Sequence, residues 1–418
     1  MVEATIKKKV FAQSFTFATL ACLLVACGPV ASPGRLAEPS PTSTKVQLAV
    51  GVLAPLTGDN ATQGVGLLQS ISDQLALRSG ELGQAGIELT VIPLDDRGES
   101  SVGQQQATRL PDDPRVVGVI GSVSSLVNES VQPIMNNAGI AMVAVGGGDT
   151  QLTQRGTPAK RAFATYFRFN ASDTARARAC AIWTVSKKFT RVLVVDDGLE
   201  KNRAMSAAYS GALTGRAKPV LTVSSLTSNQ LLDPPPALIR QILKPKPQLI
   251  VIFGPDKAIP VLHKDLRKSK ATFLTPAPLV LQKAVETKQD WAGINVATIG
   301  AHTKALPLPA LPVNATSTPS SSAASIDPGL YAAAGVDALN LIIDALVKQR
   351  VFHSATSTAK QRRAAIVSAI STAKTAGLTG AIAFDQFGQV VSAPVGFETY
   401  SLQGVWVDQP TVVVSNKP

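Results

Sequence analysis

The chain has 418 residues, 45% of them hydrophobic and 16% charged, which is longer than one hydrophobic core usually grows and too apolar for a mostly disordered chain, so two folded lobes are expected. The formal charge is +12 and the pI near 9.7, but the lysines and arginines are scattered and aromatic residues make up only 5%. The basic and aromatic interleaving of single-strand binders is missing, so nucleic acid is not expected as a partner.

At the start of the chain Lys7, Lys8 and Lys9 precede an apolar stretch from Val10 to Ala26, the pattern of a secretory signal peptide. It ends in Leu24-Val25-Ala26-Cys27, which resembles a bacterial lipobox. That resemblance implies cleavage before Cys27 and a lipid on its thiol; a plain signal peptide or an uncleaved anchor helix is the alternative. Residues 28–45, rich in Pro, Ser and Thr, read as a flexible tether. Cys22 leaves with the leader, so Cys180 alone remains as a thiol, which rules out an intramolecular disulfide and a CxxC site. Within ARACAIW it reads as a small buried hydrophobe.

From Val46 onward, apolar runs of strand length alternate with helical stretches. VQLAVGVLAP precedes GVGLLQSISDQLALRSG, IELTVIPLDD precedes SVGQQQATRL, RVVGVIGS precedes LVNESVQPIMNNAG, and IAMVAVG follows. This rhythm predicts a parallel sheet with helices on both faces. It restarts at FATYFRFN and continues through RVLVVDD, PVLTVSSL and QLIVIFG, which predicts a second α/β unit. The Pro-, Ser- and Ala-dense segment between His302 and Gly329 reads as a long surface loop at a lobe crossing. Two helical patterns follow, LYAAAGVDALNLIIDALVKQ and AKQRRAAIVSAISTAKTAG, and the end reads as short strands joined by Gly-containing turns.

Five blocks in order carry a family resemblance: GVLAPLTGDNATQG, VIPLDDRGESSVGQQQATRL with its acidic pair Asp95 and Asp96, VVGVIGSVSS, GIAMVAVGGGDTQLT and GAIAFDQFGQVV. Together they resemble the type I periplasmic binding proteins, among them the leucine/isoleucine/valine-binding family, over almost the whole chain after the tether. The resemblance implies an α/β fold of two doubly wound parallel-sheet lobes joined by a three-crossover hinge. The lobes are expected at 46–167 plus 303–391 and at 168–302 plus 392–413. It also implies a small polar ligand, an amino acid or related compound, held between the lobes outside the cytoplasm and passed to the permease and ATPase of an ABC importer. A sensing or regulatory lipoprotein of the same fold, or a scaffold that has lost its ligand, are the other readings.

Ligands of open parallel sheets sit beyond the carboxyl ends of the strands, where loops feed helix N-termini. Ser124 and Ser125 follow such a strand and could hold an anionic group, or serve as an ordinary helix cap. Gly146, Gly147 and Gly148 allow close backbone approach, with Asp149 behind them, or form a tight turn. Family members often carry a hydroxyl residue where Gly148 stands and an aromatic cover where Gln63 stands. In the second lobe the resemblance places Lys201 where relatives have a Tyr, and Ala277 where they have the acid that receives a ligand ammonium. Asp197 and Asp256 could substitute for that acid, or cap turns. His263, His302 and His353 have no metal-ligand spacing, and no GxSxG elbow or phosphate-loop pattern occurs. No catalytic residue, metal or cofactor is expected.

Overall fold

Regular structure begins at Val46 with strand β1 (Val46–Ala54), whose last seven residues are buried. The computed structural model describes residues 45–213, 220–255, 258–266, 269–276, 293–298, 329–354, 356–401 and 406–416, all within one compact unit. Parallel neighbours β2 (Ile87–Asp95) and β3 (Val116–Gly121) flank β1, which explains its near-continuous apolar run: helices cover both faces of the sheet. β2 is an edge strand and tolerates Pro93, whose missing N–H would break a ladder in the middle of a sheet. Helices α1 (Ala61–Gln84), α2 (Ser100–Ala107) and α3 (Ser125–Asn137) alternate with the strands, and β4 (Ala141–Ala144) follows.

A two-residue ladder, β5 (Gln154–Arg155) with β6 (Lys160–Arg161), decorates the loop that leads to β7 (Tyr166–Arg168). The sequence rhythm restarts at FATYFRFN, although the expected lobe boundary falls within it, after residue 167; β7 pairs with β4 and closes the first sheet, in the order β2-β1-β3-β4-β7. Burial decides this. Phe167 and Phe169 belong to the core of the first lobe and meet Phe384 edge-on at 5.3 and 5.4 Å.

The second lobe contains α4 (Asp173–Ser186), β8 (Arg191–Asp196), α5 (Glu200–Ala212), β9 (Val220–Ser225), α6 (Ser228–Leu232), α7 (Pro236–Leu243), β10 (Leu249–Phe253), α8 (Ala258–Leu266), β11 (Thr272–Thr275) and β12 (Ile294–Ala297). Its parallel strands run β9-β8-β10-β11-β12, the same relative order as β2-β1-β3-β4-β7. Both sheets therefore reverse direction beside their first strand, between β1 and β3 and between β8 and β10, where open sheets leave a crevice at the carboxyl ends.

The chain then returns to the first lobe. α9 (Ala332–Lys348), buried along most of its length, and α10 (Ala359–Ser371) join α1 on one face of the first sheet, opposite α2 and α3. A hairpin of β13 (Lys374–Gly377) and β14 (Gly380–Ala383) is held by buried Asp337, which accepts from the N–H groups of Leu378 and Thr379, each at 2.8 Å. The end of the chain is more regular than expected: β15 (Ser392–Tyr400) and β16 (Trp406–Ser415) add antiparallel to β12 and complete a seven-stranded sheet. Pro410 sits in the edge strand β16, as Pro93 does in β2.

Two crossings between the lobes lie within the described residues; the segment between His302 and Gly329, read as a surface loop at a lobe crossing, lies outside them. The two run side by side. Val390 N–H donates to Arg168 O at 2.9 Å and Arg168 N–H to Gly388 O at 2.8 Å. Asn416 stitches both, accepting from Ser172 N–H at 2.9 Å and donating to Val390 O at 2.8 Å.

Candidate functional site

A cleft of about 290 Å³ opens at the two sheet reversals. Its first wall comprises Pro55, Asn60 and Gln63 after β1, Val123 to Leu126 after β3, and Gly147 and Gly148 after β4. The second comprises Asp173 and Arg176 on α4, Lys201 and Asn202 on α5, Phe253 and Gly254 after β10, and Thr275 and Pro276 after β11. Tyr331, at the start of α9, closes the hinge side.

The first wall is held by polar groups that never reach the cleft themselves. Asp95 accepts from Leu56 N–H at 2.9 Å and from the Thr57 hydroxyl at 2.6 Å, and so fixes the loop after β1. Partial burial works against its charge, but the Thr57 hydroxyl and the N–H groups of Arg97, Leu56 and Thr57 outweigh it and hold the carboxyl below the usual range. Asp96 is buried deeper, which pushes its carboxyl up despite the 2.6 Å bond from the Ser122 hydroxyl. Buried Asn128 joins two loops: its Oδ1 accepts from Ser122 N–H at 2.8 Å, and its Nδ2 donates to Ser122 O at 3.2 Å and Gly146 O at 3.0 Å. Asn128→Ala strands these groups and is expected to cost about 2–3 kcal/mol, read as a lower denaturation midpoint.

The second wall is built around a buried ion cluster. Asp173 follows the cap residue Ser172, whose hydroxyl accepts from Ala175 N–H at 3.1 Å. Arg176, one turn on, bonds Asp173 Oδ1 through Nη2 and donates through Nη1 to Pro276 O at 2.8 Å. Lys201 Nζ lies 3.0 Å from Asp173 Oδ2, its own side chain half exposed. Burial opposes the charge on Asp173, but Arg176 and Lys201 outweigh it and hold its carboxyl below the usual range. Three buried polar atoms at this wall have no hydrogen-bond partner, Asp173 Oδ2, Arg176 Nε and Thr275 Oγ1, the first of them facing the Lys201 ammonium as an ion pair. Buried polar groups are rarely left so.

The structure places Gln63, Ser124, Ser125, Gly147, Gly148 and Lys201 on the cleft. Ser124 precedes α3, yet its hydroxyl makes no cap bond. Ser125 Oγ accepts from Asp149 N–H at 3.5 Å. Gly147 has φ +82°, a conformation other residues resist. Gln63 does not cover the cleft as an aromatic lid would; its Oε1 accepts from Leu330 N–H at 3.1 Å and ties α1 to the start of α9. Asp149 is not among the cleft-lining residues, because its carboxylate caps the turn Thr150–Leu152 by accepting from Gln151 N–H. Asp197 is likewise a turn acid, bonded to Leu199 N–H at 3.0 Å and Asn202 Nδ2 at 2.9 Å. Asp256, Ala277 and Cys27 lie outside the described residues. Sequence reasoning missed Asp173 and Arg176. The available signal was Ser172-Asp173 at a helix start with Arg three residues on, which reads equally as an ordinary capped helix.

No curated protein matches the sequence. Among solved structures the chain is similar to the leucine-binding protein LivK of Thermotoga maritima, at 19% identity and TM-score 0.63, covering 88% of this chain and 99% of that one. It is similar to a solute-binding protein of R. palustris in complex with 4-hydroxybenzoate, at 14% identity and TM-score 0.67, covering 89% and 98%. A third is LivJ of Streptococcus pneumoniae in complex with isoleucine, at 14% identity and TM-score 0.63, covering 88% and 99%. At these identities the likeness speaks for the fold, two parallel-sheet lobes with a cleft between them. The family description "periplasmic binding protein" matches residues 47–397, and the chain belongs to that family.

Proposed function

We propose that this protein captures a small polar solute, an amino acid or related compound, between its two lobes outside the cytoplasm and presents it to the permease and ATPase of an ABC importer. The observation that carries the reading is the cleft itself, walled by strand-end loops of both sheets. A solute that touches both walls favours the closed arrangement, and the crossings beside Arg168 and Gln389 absorb the change. LivK, LivJ and the R. palustris protein, described as leucine-binding or solved with isoleucine or 4-hydroxybenzoate, fit such a role. The lobe limits that go with it are 46–167 plus 303–391 and 168–302 plus 392–413. No chemistry is assigned to the protein, which binds and releases its solute unchanged.

The anchor is part of the same proposal. Acylated Cys27 holds the protein to the membrane through the tether 28–45; among the described residues no helix is long and apolar enough to cross a membrane. Cys27→Ser is expected to move the protein from the membrane fraction to the soluble one, checked by fractionation and by the mass of the mature N-terminus. Solute capture is tested by a thermal-shift screen of the purified protein against amino acids, amides, organic acids and polyols. A true ligand at a hundred times its dissociation constant adds about 2.7 kcal/mol and raises the melting temperature. No shift with any class contradicts the proposal.

A further inference from the structure

Lysines and arginines that look scattered along the sequence are unevenly shared in the fold. Residues 168–302 hold 20 Lys and Arg against 9 Asp and Glu, with two more acids in 392–413, whereas 46–167 and 303–391 together hold 14 against 15. Part of this excess converges at the amino ends of the second sheet, the pole opposite the cleft. Strands β8, β10 and β11 are neighbours and start nearly in step, Leu249 pairing with both Val192 and Thr272. The turns that feed them therefore lie side by side, around an open hollow of about 800 Å³. Lys187, Lys188, Arg191, Lys246 and Lys270 line it, all exposed, and no carboxylate is among the described residues that line it. The frame that carries them is laced together: Arg191 Nε donates to Lys246 O at 2.9 Å, and Gln248 Oε1 accepts from Thr190 N–H at 2.8 Å and Arg191 N–H at 3.2 Å.

Backbone conformation sets three of these lysines apart. Lys188, Lys246 and Lys270 have φ of +60°, +51° and +59°, one in the turn before each of the three strands. Among the described residues the other non-glycine residue with positive φ is Arg97. A cation just past a helix is ordinary, because it faces the last carbonyls and the negative end of the dipole. A left-handed residue there is ordinarily Gly or Asn, since a β-carbon crowds the following carbonyl. Capping thus accounts for the charge but not for a lysine held three times in the left-handed turn at a cost in stability. Local rules broken together at one surface point to a binding role.

We propose that this pole of the second lobe binds phosphate groups, carried by the headgroups of an anionic membrane or by a soluble phosphate compound. Several ammonium groups and an Arg fork around a concave surface suit multiply charged oxyanions, where a lone carboxylate would leave most of the charge unanswered. The site lies at the other end of the strands from the cleft, so its failure leaves solute capture standing.

The test uses the purified Cys27→Ser protein, so that no lipid anchor contributes. It is floated with vesicles of phosphatidylcholine, alone or mixed with phosphatidylglycerol, and titrated with pyrophosphate and with polyglutamate, at physiological ionic strength. Binding to the mixed vesicles alone identifies a lipid headgroup as the source; binding to pyrophosphate identifies a soluble compound. Lys188→Gly, Lys246→Gly and Lys270→Gly combined are expected to weaken that binding at least about tenfold without lowering the melting temperature, because glycine relieves the left-handed turns. Lys160→Gln, Lys360→Gln and Lys374→Gln combined remove the same charge from exposed sites on the first lobe and are expected to change binding less than about twofold. Equal losses from the two sets would show attraction by net charge alone and overturn the proposal. Unchanged binding in the glycine variant overturns it too, as does polyglutamate binding as tightly as the phosphate probes, or no binding of either probe above the phosphatidylcholine control.

Discussion

Gly148→Ser is expected to lower the melting temperature by several degrees and to abolish stabilisation by ligand. A β-carbon at this position would stand 1.8 Å from Asp173 Oδ1 and 2.8 Å from Arg176 Nη2. The first atom belongs to a buried carboxylate held at both oxygens, so it cannot swing aside without breaking its ion pairs. Displacing one member of a buried pair costs about 3 kcal/mol or more. The cost has a second signature. In an Asp173→Ala background the nearest obstruction is gone and only the end of the Arg176 side chain remains close, so Gly148→Ser there should cost less than it does alone, a coupling that a double-mutant cycle of denaturation midpoints reads directly. Equal costs in both backgrounds would show that the serine acts through something other than Asp173.

Arg168→Met is expected to destabilise the protein by about 3 kcal/mol, with Arg168→Lys recovering only part. Arg168 is 1% exposed and, among the described residues, forms no ion pair with a carboxylate. Its fork bonds Gln389 Oε1 and Asp149 O, each at 2.5 Å, with Gly147 O at 3.4 Å. One side chain thus ties the end of the first sheet, the loop after β4 and the return crossing. Methionine fills similar volume but leaves buried Gln389 Oε1 without its donor, while Asp149 O and Gly147 O keep only Leu152 N–H and Asn170 Nδ2; an ammonium supplies a point charge where the site uses a planar fork. Because the Gly147–Asp149 loop loses its support, ligand affinity should fall along with the denaturation midpoint.

The alternation of apolar and helical runs made the α/β layers legible, since a parallel sheet covered on both faces needs long apolar strands such as VQLAVGVLA and LIVIF. Edge strands β2 and β16 also fit their prolines. What periodicity could not show was membership: three residues, Tyr166–Arg168, join the first sheet because of contacts with β4 and Phe384, far away in sequence. The site divided along the same line. Ser124, Ser125, Gly147 and Gly148 stand at strand ends, where local order suffices to place them. Asp173 and Arg176 look like any capped helix until the fold brings Lys201 and Pro276 against them. Asp149 was misplaced for the converse reason, a local bond to Gln151 N–H that turns it from the cleft.

The central claim, capture by closure of two lobes, is tested most directly by the distance between spin labels across the cleft. Leu126, on the cleft's first wall, and Leu199, which caps α5 two residues before the cleft residue Lys201, are 66% and 58% exposed. Leu126→Cys and Leu199→Cys can be labelled with Cys22 and Cys27 changed to serine, because Cys180 is buried and its thiol is pushed up to about 12. Adding the solute that raises the melting temperature most should shorten the distance and narrow its distribution. A distance unchanged while calorimetry reports saturation would contradict the account.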